Sequence, residues 1–349
     1  MQLEQSLPSS SDLPDKNISA SRYQDSHDAM GTTFDVAAYG PDGEFLAAVV
    51  NEIFEEIDRL EQQMSKFRYD SEIAHLNRNA AKHSIIVEPK LFALIQYALS
   101  VSRETHGAFD VTIGPLMKSW GFFRQEGRIP GPAEIAQILK STGHEHVKTD
   151  AVARTVCFDK QQVELDLGAI AKGYAIDRAV EILRGYNVGS ALVSSGMSSI
   201  YALGSPPRER AWAIKLRDPF DAAKVADTIL LKNCSISTSG NYVRFFTLDG
   251  KTYSHIMNPA TGWPVEGMLS TAVTSVNSME SEALSTAFYV LGPARAAQIL
   301  AARPNLLVVY YQPDPAPNSF KRVVARSSSF TLPPDVVAEV KKPWYRGPF

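Results

Sequence analysis

Two nearby segments, STSGNY (residues 237–242) and KTYSHIMNPATG (residues 251–262), set His255 among hydroxyls, glycines and a proline. Imidazole ordinarily titrates close to neutral pH, so a positioned histidine can take the proton of an attacking hydroxyl. Small residues and hydroxyls around it leave room for phosphate oxygens and backbone N–H groups to meet. A lone histidine is more often structural or exposed; the neighbours Ser254, Asn258, Thr261 and Gly262 favour a site role.

A second candidate is DLGAIAKGYAID over residues 166–177. It places Asp166 before a glycine turn and Lys172 in the first turn of an expected helix. Such a turn can offer backbone N–H groups and a cation to phosphate. It lacks the GxxxxGK[ST] spacing of a Walker loop, and read alone a Gly–Lys turn is more often an ordinary strand-to-helix connection. Further on, Asn277 and Glu280 have the spacing of a capping box that would start a helix. Glu282 and Thr286 then share one face of that helix, a carboxylate and a hydroxyl suited to a hard cation such as Mg²⁺. Glu280 is a second candidate for the carboxylate. His144 and His146 form only an HxH pair in a polar loop and are expected at the surface.

These side chains need a scaffold, and apolar spacing supplies one. Residues 46–64 repeat Leu46, Val49, Val50, Ile53, Phe54, Ile57, Leu60 and Met64 at helical intervals, which predicts an amphipathic helix on a sheet. Further helices are expected over 89–105, from 132 to before Gly143, over 171–184 (closed by Gly185) and over 278–291. Strands are expected over 29–36, 155–158, 163–167, 190–194, 212–217, 242–247, 271–276 and 306–311, with turn chemistry at 40–43. The irregular mixture points to α+β rather than to a doubly wound sheet.

Composition narrows the function classes. At 349 residues with 44% apolar residues the chain can bury a large core, and a formal charge of −3 without a long basic run argues against nucleic acid. Cys157 and Cys234 lack CxxC spacing, so no zinc site or disulfide framework is expected. Residues 1–28 are polar, without the apolar run of a signal peptide or membrane helix, and are expected to be a disordered tail. Cytoplasmic residence is the default expectation, with no transmembrane segment.

Several blocks, in order, resemble the ApbE family of flavin transferases, which move FMN from FAD onto a threonine of another protein. They are MGT (30–32), MSKF (64–67) with DSEIAHLN (70–77), GAFDVTIGPLMKSWG (107–121), DLGAIAKGYA (166–175), WAIKLRDP (212–219), STSG (237–240) and SHIMNPATG (254–262). The resemblance runs from about residue 30 to 292. It implies an α+β, ApbE-like, T-fold-related architecture of mixed sheets with packed helices, as a single large domain over 29–330 with a C-terminal extension at 331–349. It also implies flavin between Met30 and Phe67, further cofactor contacts from Ala108, Phe109, Asp110 and Ile256, and cofactor positioning by Asp166 and Lys172. Mg²⁺ would be held by Glu282, Thr286 and the Ala169 carbonyl, with His255 as the base.

The chain departs from the family pattern at Ala169, where a second glycine is usual, at Glu282, where aspartate is usual, and in the loop over 195–200. FAD hydrolysis to FMN and AMP, or FAD binding without chemistry, are the alternative functions. The expected partners are FAD and an acceptor flavoprotein presenting a threonine.

Overall fold

An eight-stranded antiparallel sheet, whose strand order follows the chain, organises the computed structural model, which describes residues 21–123, 126–241 and 245–341. Its strands are β1 (Ser21–Ala29), β2 (Thr32–Gly40), β3 (Ser190–Ser195), β4 (Ser199–Leu203), β5 (Cys234–Gly240), β6 (Ser270–Ser275), β7 (Leu307–Pro313) and β8 (Phe320–Arg326). Successive strand residues point to opposite faces, so the sheet serves two cores. Val193, Val273 and Val308 meet the helices, while Leu192, Ile236 and Val309 meet a smaller sheet. That sheet pairs Trp212–Arg217, Val225–Lys232 and Val337–Val340.

The helical layer consists of α1 (Gly43–Met64), α2 (Glu72–Asn79), α3 (Pro89–Glu104), α4 (Gly114–Ser119), α5 (Pro132–Leu139), α6 (Ala171–Gly185) and α7 (Ser278–Ala301). The apolar stripe of α1 is buried as its spacing predicts. Asp42 caps that helix by accepting the Glu44 and Phe45 amides, so 40–43 begins a helix rather than forming a hairpin turn. In α7 the expected end at 291 appears as a kink: Gly292 has φ 67° and Pro293 follows. Among the described residues no helix is long and apolar enough to cross a membrane.

Several expectations are corrected. Residues 21–28 of the expected tail belong to β1, an edge strand of polar residues held by its backbone ladder to β2; residues 1–20 lie outside the described residues. The segment over 163–167 belongs to no sheet. Asn77 replaces a strand partner there, accepting from the Leu165 amide at 2.8 Å and donating to its carbonyl at 3.0 Å. The described part of the 331–349 extension is built into the fold, with Ala338 in the second core. The expected helix stop at Gly185 is still helical, and Asn187 takes the left-handed φ of 57°. Residues 242–244 of an expected strand and 342–349 lie outside the described residues.

Candidate functional site

The two turns that end β1 and β3 lie side by side at one end of the main sheet. The Gly196 amide donates to the Thr33 carbonyl at 2.7 Å, and the Thr238 amide of β5 donates to Ser198 at 2.6 Å. Gly196 has φ 55°, and a Cβ there would strike the Thr32 hydroxyl, so the contact needs glycine. Met30, in the β1–β2 turn with φ 52°, therefore sits on this rim, partly buried against the main core.

Below the rim, β5 faces α7 through hydroxyls. Ser239 Oγ lies 2.9 Å from Ser285 Oγ and 3.3 Å from Thr286 Oγ1. Ser237 and Ser235 both reach Ser281 in the same interface. One turn earlier on α7, Glu282 is buried. One of its carboxylate oxygens accepts the Gly173 amide at 2.6 Å, and the other pairs with the Lys172 ammonium, which also donates to the Gly168 carbonyl at 2.9 Å. The start of α6 and the middle of the first half of α7 are thus joined through these groups.

The capping-box expectation fails in an informative way. Asn277 is the N-cap residue of α7 but makes no side-chain cap; Asp177 of α6 does so instead, accepting the Ser278 and Met279 amides at 2.7 and 2.9 Å. Burial pushes the Asp177 carboxyl up to about 6, against the opposing pull of those two amides. Glu280 turns to Arg303 and Ser275, away from the Glu282 carboxylate's partners.

Asp166 pairs with Lys66 and accepts the Gly168 amide at 2.9 Å, so its turn is tied to the segment after α1. The Lys66 ammonium also stands 3.9 Å from the Phe123 ring centroid. Phe67 packs edge-on against Phe123 at 5.3 Å and is 69% exposed, which leaves ring surface available to a planar ligand. Phe122, the next residue back, meets His255 edge-on at 6.5 Å. A cavity of about 150 Å³ adjoins this cluster, lined by Lys66, Asn77, Arg78, Lys118, Phe123 and Glu164 among others.

His255 is anchored from both sides. The Ile256 amide donates to Ser254 Oγ at 3.2 Å, and the Ile256 carbonyl accepts from Val265 at 2.9 Å. The turn that follows is closed by Asn258, whose Oδ1 accepts the Ala260 amide and whose carbonyl accepts from Thr261 and Gly262.

Ala108, Phe109 and Asp110 form one loop, but with side chains already committed. Phe109 is buried in the main core, and Ala108 is buried beside it. One Asp110 oxygen accepts the Thr112 amide and hydroxyl; the other accepts the His144 amide at 2.9 Å and faces His144 Nδ1 at 3.3 Å. His144 and His146 are therefore not the surface pair the sequence suggested. His146 is buried and faces Asp159 at 2.9 Å, and the Asp110 hydrogen bond raises the His144 pKa above the ordinary histidine value.

The structure thus places His255 against Phe122, Phe67 against Phe123, and Asp166 on Lys66, which also faces Phe123; it pairs Lys172 with Glu282 and Ser239 with Thr286. Met30 stands on the rim, in the β1–β2 turn. Lys66, Asn77, Trp120 and Phe123 received no role from the sequence, although three of them stand in the blocks quoted above; their partners lie far along the chain.

Compared with known proteins, the ApbE family profile matches residues 30–310. The chain belongs to the ApbE family. It is 32% identical over 265 residues to the FAD:protein FMN transferase of Klebsiella pneumoniae (strain 342), covering 75% of this chain and 82% of that protein. To the FAD:protein FMN transferase of Treponema pallidum (strain Nichols) it is 32% identical over 302 residues, covering 82% and 83%. Among solved structures, the ApbE protein of Thermotoga maritima superposes with a TM-score of 0.78 at 30% identity, covering 89% of this chain and 98% of that one. The flavin transferase ApbE of Vibrio cholerae gives 0.77 at 28% identity, with the same coverage. The α+β architecture is thus that of solved ApbE structures.

For an ApbE protein the donor set at Glu282 fits a hard divalent cation. Among the described residues no three His, Cys, Asp or Glu side chains gather as a protein-only cage. A buried carboxylate, the Thr286 hydroxyl and the backbone carbonyls of the 168–169 turn offer oxygen instead, and Mg²⁺ usually combines one or two carboxylates with water and substrate phosphate. Ala169 is not among the residues with left-handed φ, so alanine is tolerated where the family pattern has glycine.

Proposed function

We propose that this protein transfers FMN from FAD to the hydroxyl of a threonine or serine on an acceptor flavoprotein and releases AMP. Family membership supports the reaction class. The observation that supports the assignment of the site is the convergence on adjacent residues of one turn: His255 packs edge-on against Phe122, while Phe67 and the Lys66 ammonium, itself paired with Asp166, pack against Phe123.

In this reading Met30 and Phe67 flank the flavin, with Ile256 and the 108–110 loop completing the pocket. Because the Phe109 ring and the Asp110 carboxylate are committed within the protein, that loop serves through its backbone. Asp166 shapes the turn by holding Lys66 and the Gly168 amide, and Lys172 provides a cation for the diphosphate. Mg²⁺, held by Glu282, Thr286 and the Ala169 carbonyl, would neutralise diphosphate charge. His255 takes the proton of the acceptor hydroxyl. The hydroxyl oxygen forms a bond to the FMN phosphorus, the bond from that phosphorus to the AMP oxygen breaks, and AMP leaves.

The test is incubation with FAD, Mg²⁺ and an acceptor domain bearing a threonine, followed by intact-mass measurement of the acceptor. An FMN adduct is expected. Free FMN and AMP without an adduct would make the protein a hydrolase, and unchanged FAD would make it a binding protein.

A further inference from the structure

Lys172 and Glu282 have been given separate duties, one toward the diphosphate and the other toward the metal, yet the structure pairs them. The Lys172 ammonium bridges Glu282 Oε1 and the Gly168 carbonyl, two oxygen donors that a hard cation would seek. The remaining Glu282 oxygen is held by the Gly173 amide at 2.6 Å, so the carboxylate is fixed in place while the lysine side chain is the movable partner. The Glu282 side chain is only 6% exposed and the Lys172 side chain 20% exposed. A buried carboxylate stripped of its cation is strongly disfavoured, so one cation must replace another.

We infer that Lys172 is an exchangeable cation of the metal site: a divalent ion displaces its ammonium from Glu282 and thereby frees it for an anionic diphosphate. The inference rests on the proposed metal role of Glu282. Its consequence is that the ammonium competes with metal when no nucleotide is bound. By linkage, metal binding then prepares the phosphate-binding cation, a coupling beyond direct metal–phosphate contact. If the pair is closed about nine-tenths of the time, abolishing it raises apparent metal affinity about tenfold.

Two measurements without FAD test this. In the wild-type protein, amine-reactive labelling of Lys172, read by peptide mass spectrometry, is expected to rise severalfold when Mg²⁺ is added. Mn²⁺ titration followed by electron paramagnetic resonance is expected to show about tenfold tighter binding in Lys172→Gln, wild-type affinity in Lys172→Arg, and loss of the site in Glu282→Gln. Mn²⁺ binding that Glu282→Gln weakens but Lys172→Gln leaves unchanged, with Lys172 labelling indifferent to Mg²⁺, would overturn the exchange and leave the metal reading intact. Mn²⁺ binding unaffected by Glu282→Gln would overturn both. Should Lys172→Gln fail to fold, the wild-type labelling decides.

Discussion

The indole Nε1 of Trp120 donates to the carbonyl of Gly262 at 2.9 Å across 142 residues of sequence. This bond fastens the turn that carries Phe122 and Phe123 to the turn that follows His255. Gly262 has φ 71°, and a Cβ there would lie 2.5 Å from Ile135, so the partner turn is itself held closely against α5. Trp120→Phe keeps an aromatic ring but strands a carbonyl, and a loss of about 1–2 kcal/mol is expected in urea denaturation. Transfer should fall more than FAD binding does, because the bond sets the spacing between the aromatic cluster and the base.

His255 offers the sharpest catalytic test. Loss of a general base lowers rates by about 10²–10⁴-fold, so His255→Ala should lower single-turnover flavin transfer by that amount while the protein still binds FAD, followed by flavin fluorescence. Full transfer by the variant would remove His255 from the mechanism.

The site was legible where its chemistry is local. The spacing of Glu282 and Thr286 holds because α7 is regular there, and Lys172 falls in the first turn of α6 as its position after the glycine turn implies. What the sequence concealed were partners supplied from a distance. Asp177 caps a helix 101 residues away, Asn77 stands in for a strand beside Leu165, and Asp110 draws in His144 from 34 residues downstream. Short-range pattern cannot see such pairings, and it misjudged β1 for a related reason: an edge strand owes its place to backbone hydrogen bonds, so its side chains can read like a tail.

His144 makes stability depend on pH. Its hydrogen bond to Asp110, reinforced by that carboxylate's charge, raises the folded-state pKa, while burial and Arg103 oppose the shift and Glu145 assists it. A raised histidine contributes stability that is fully present below its unfolded value of about 6.5 and is lost as pH rises through the folded value. The difference in urea midpoint between wild type and His144→Gln should therefore be largest at acidic pH and shrink above neutrality. A pH-independent difference would count against this pairing.

Asp177 should show how much α7 owes to its borrowed cap. Asp177→Ala leaves the Ser278 and Met279 amides without their acceptor and should cost about 2 kcal/mol, whereas Asp177→Asn keeps a side-chain oxygen and should cost less. Because burial raises this carboxyl to about 6, its titration favours the folded state below the unfolded value near 3.9, and that advantage fades as pH rises through 6. Wild type should thus gain on Asp177→Asn as pH is lowered from 6 to 4, as measured by thermal or urea unfolding.

Gly173 joins stability to the candidate metal site in one residue. A Cβ at this position would run into the Ser278 carbonyl oxygen and lie 2.8 Å from Met279 Cα, which are backbone atoms at the start of α7 and cannot rotate aside. In an isolated helix alanine would be favoured over glycine by about 1 kcal/mol. Here the clash should reverse the sign, with Gly173→Ala losing about 1–3 kcal/mol as α6 and α7 are pushed apart. The same separation would pull the Gly173 amide from the Glu282 carboxylate, so Mn²⁺ affinity should fall along with the unfolding midpoint. A Gly173→Ala protein as stable as wild type would show that the two helices can part without loss, and that their close approach does not set the position of Glu282.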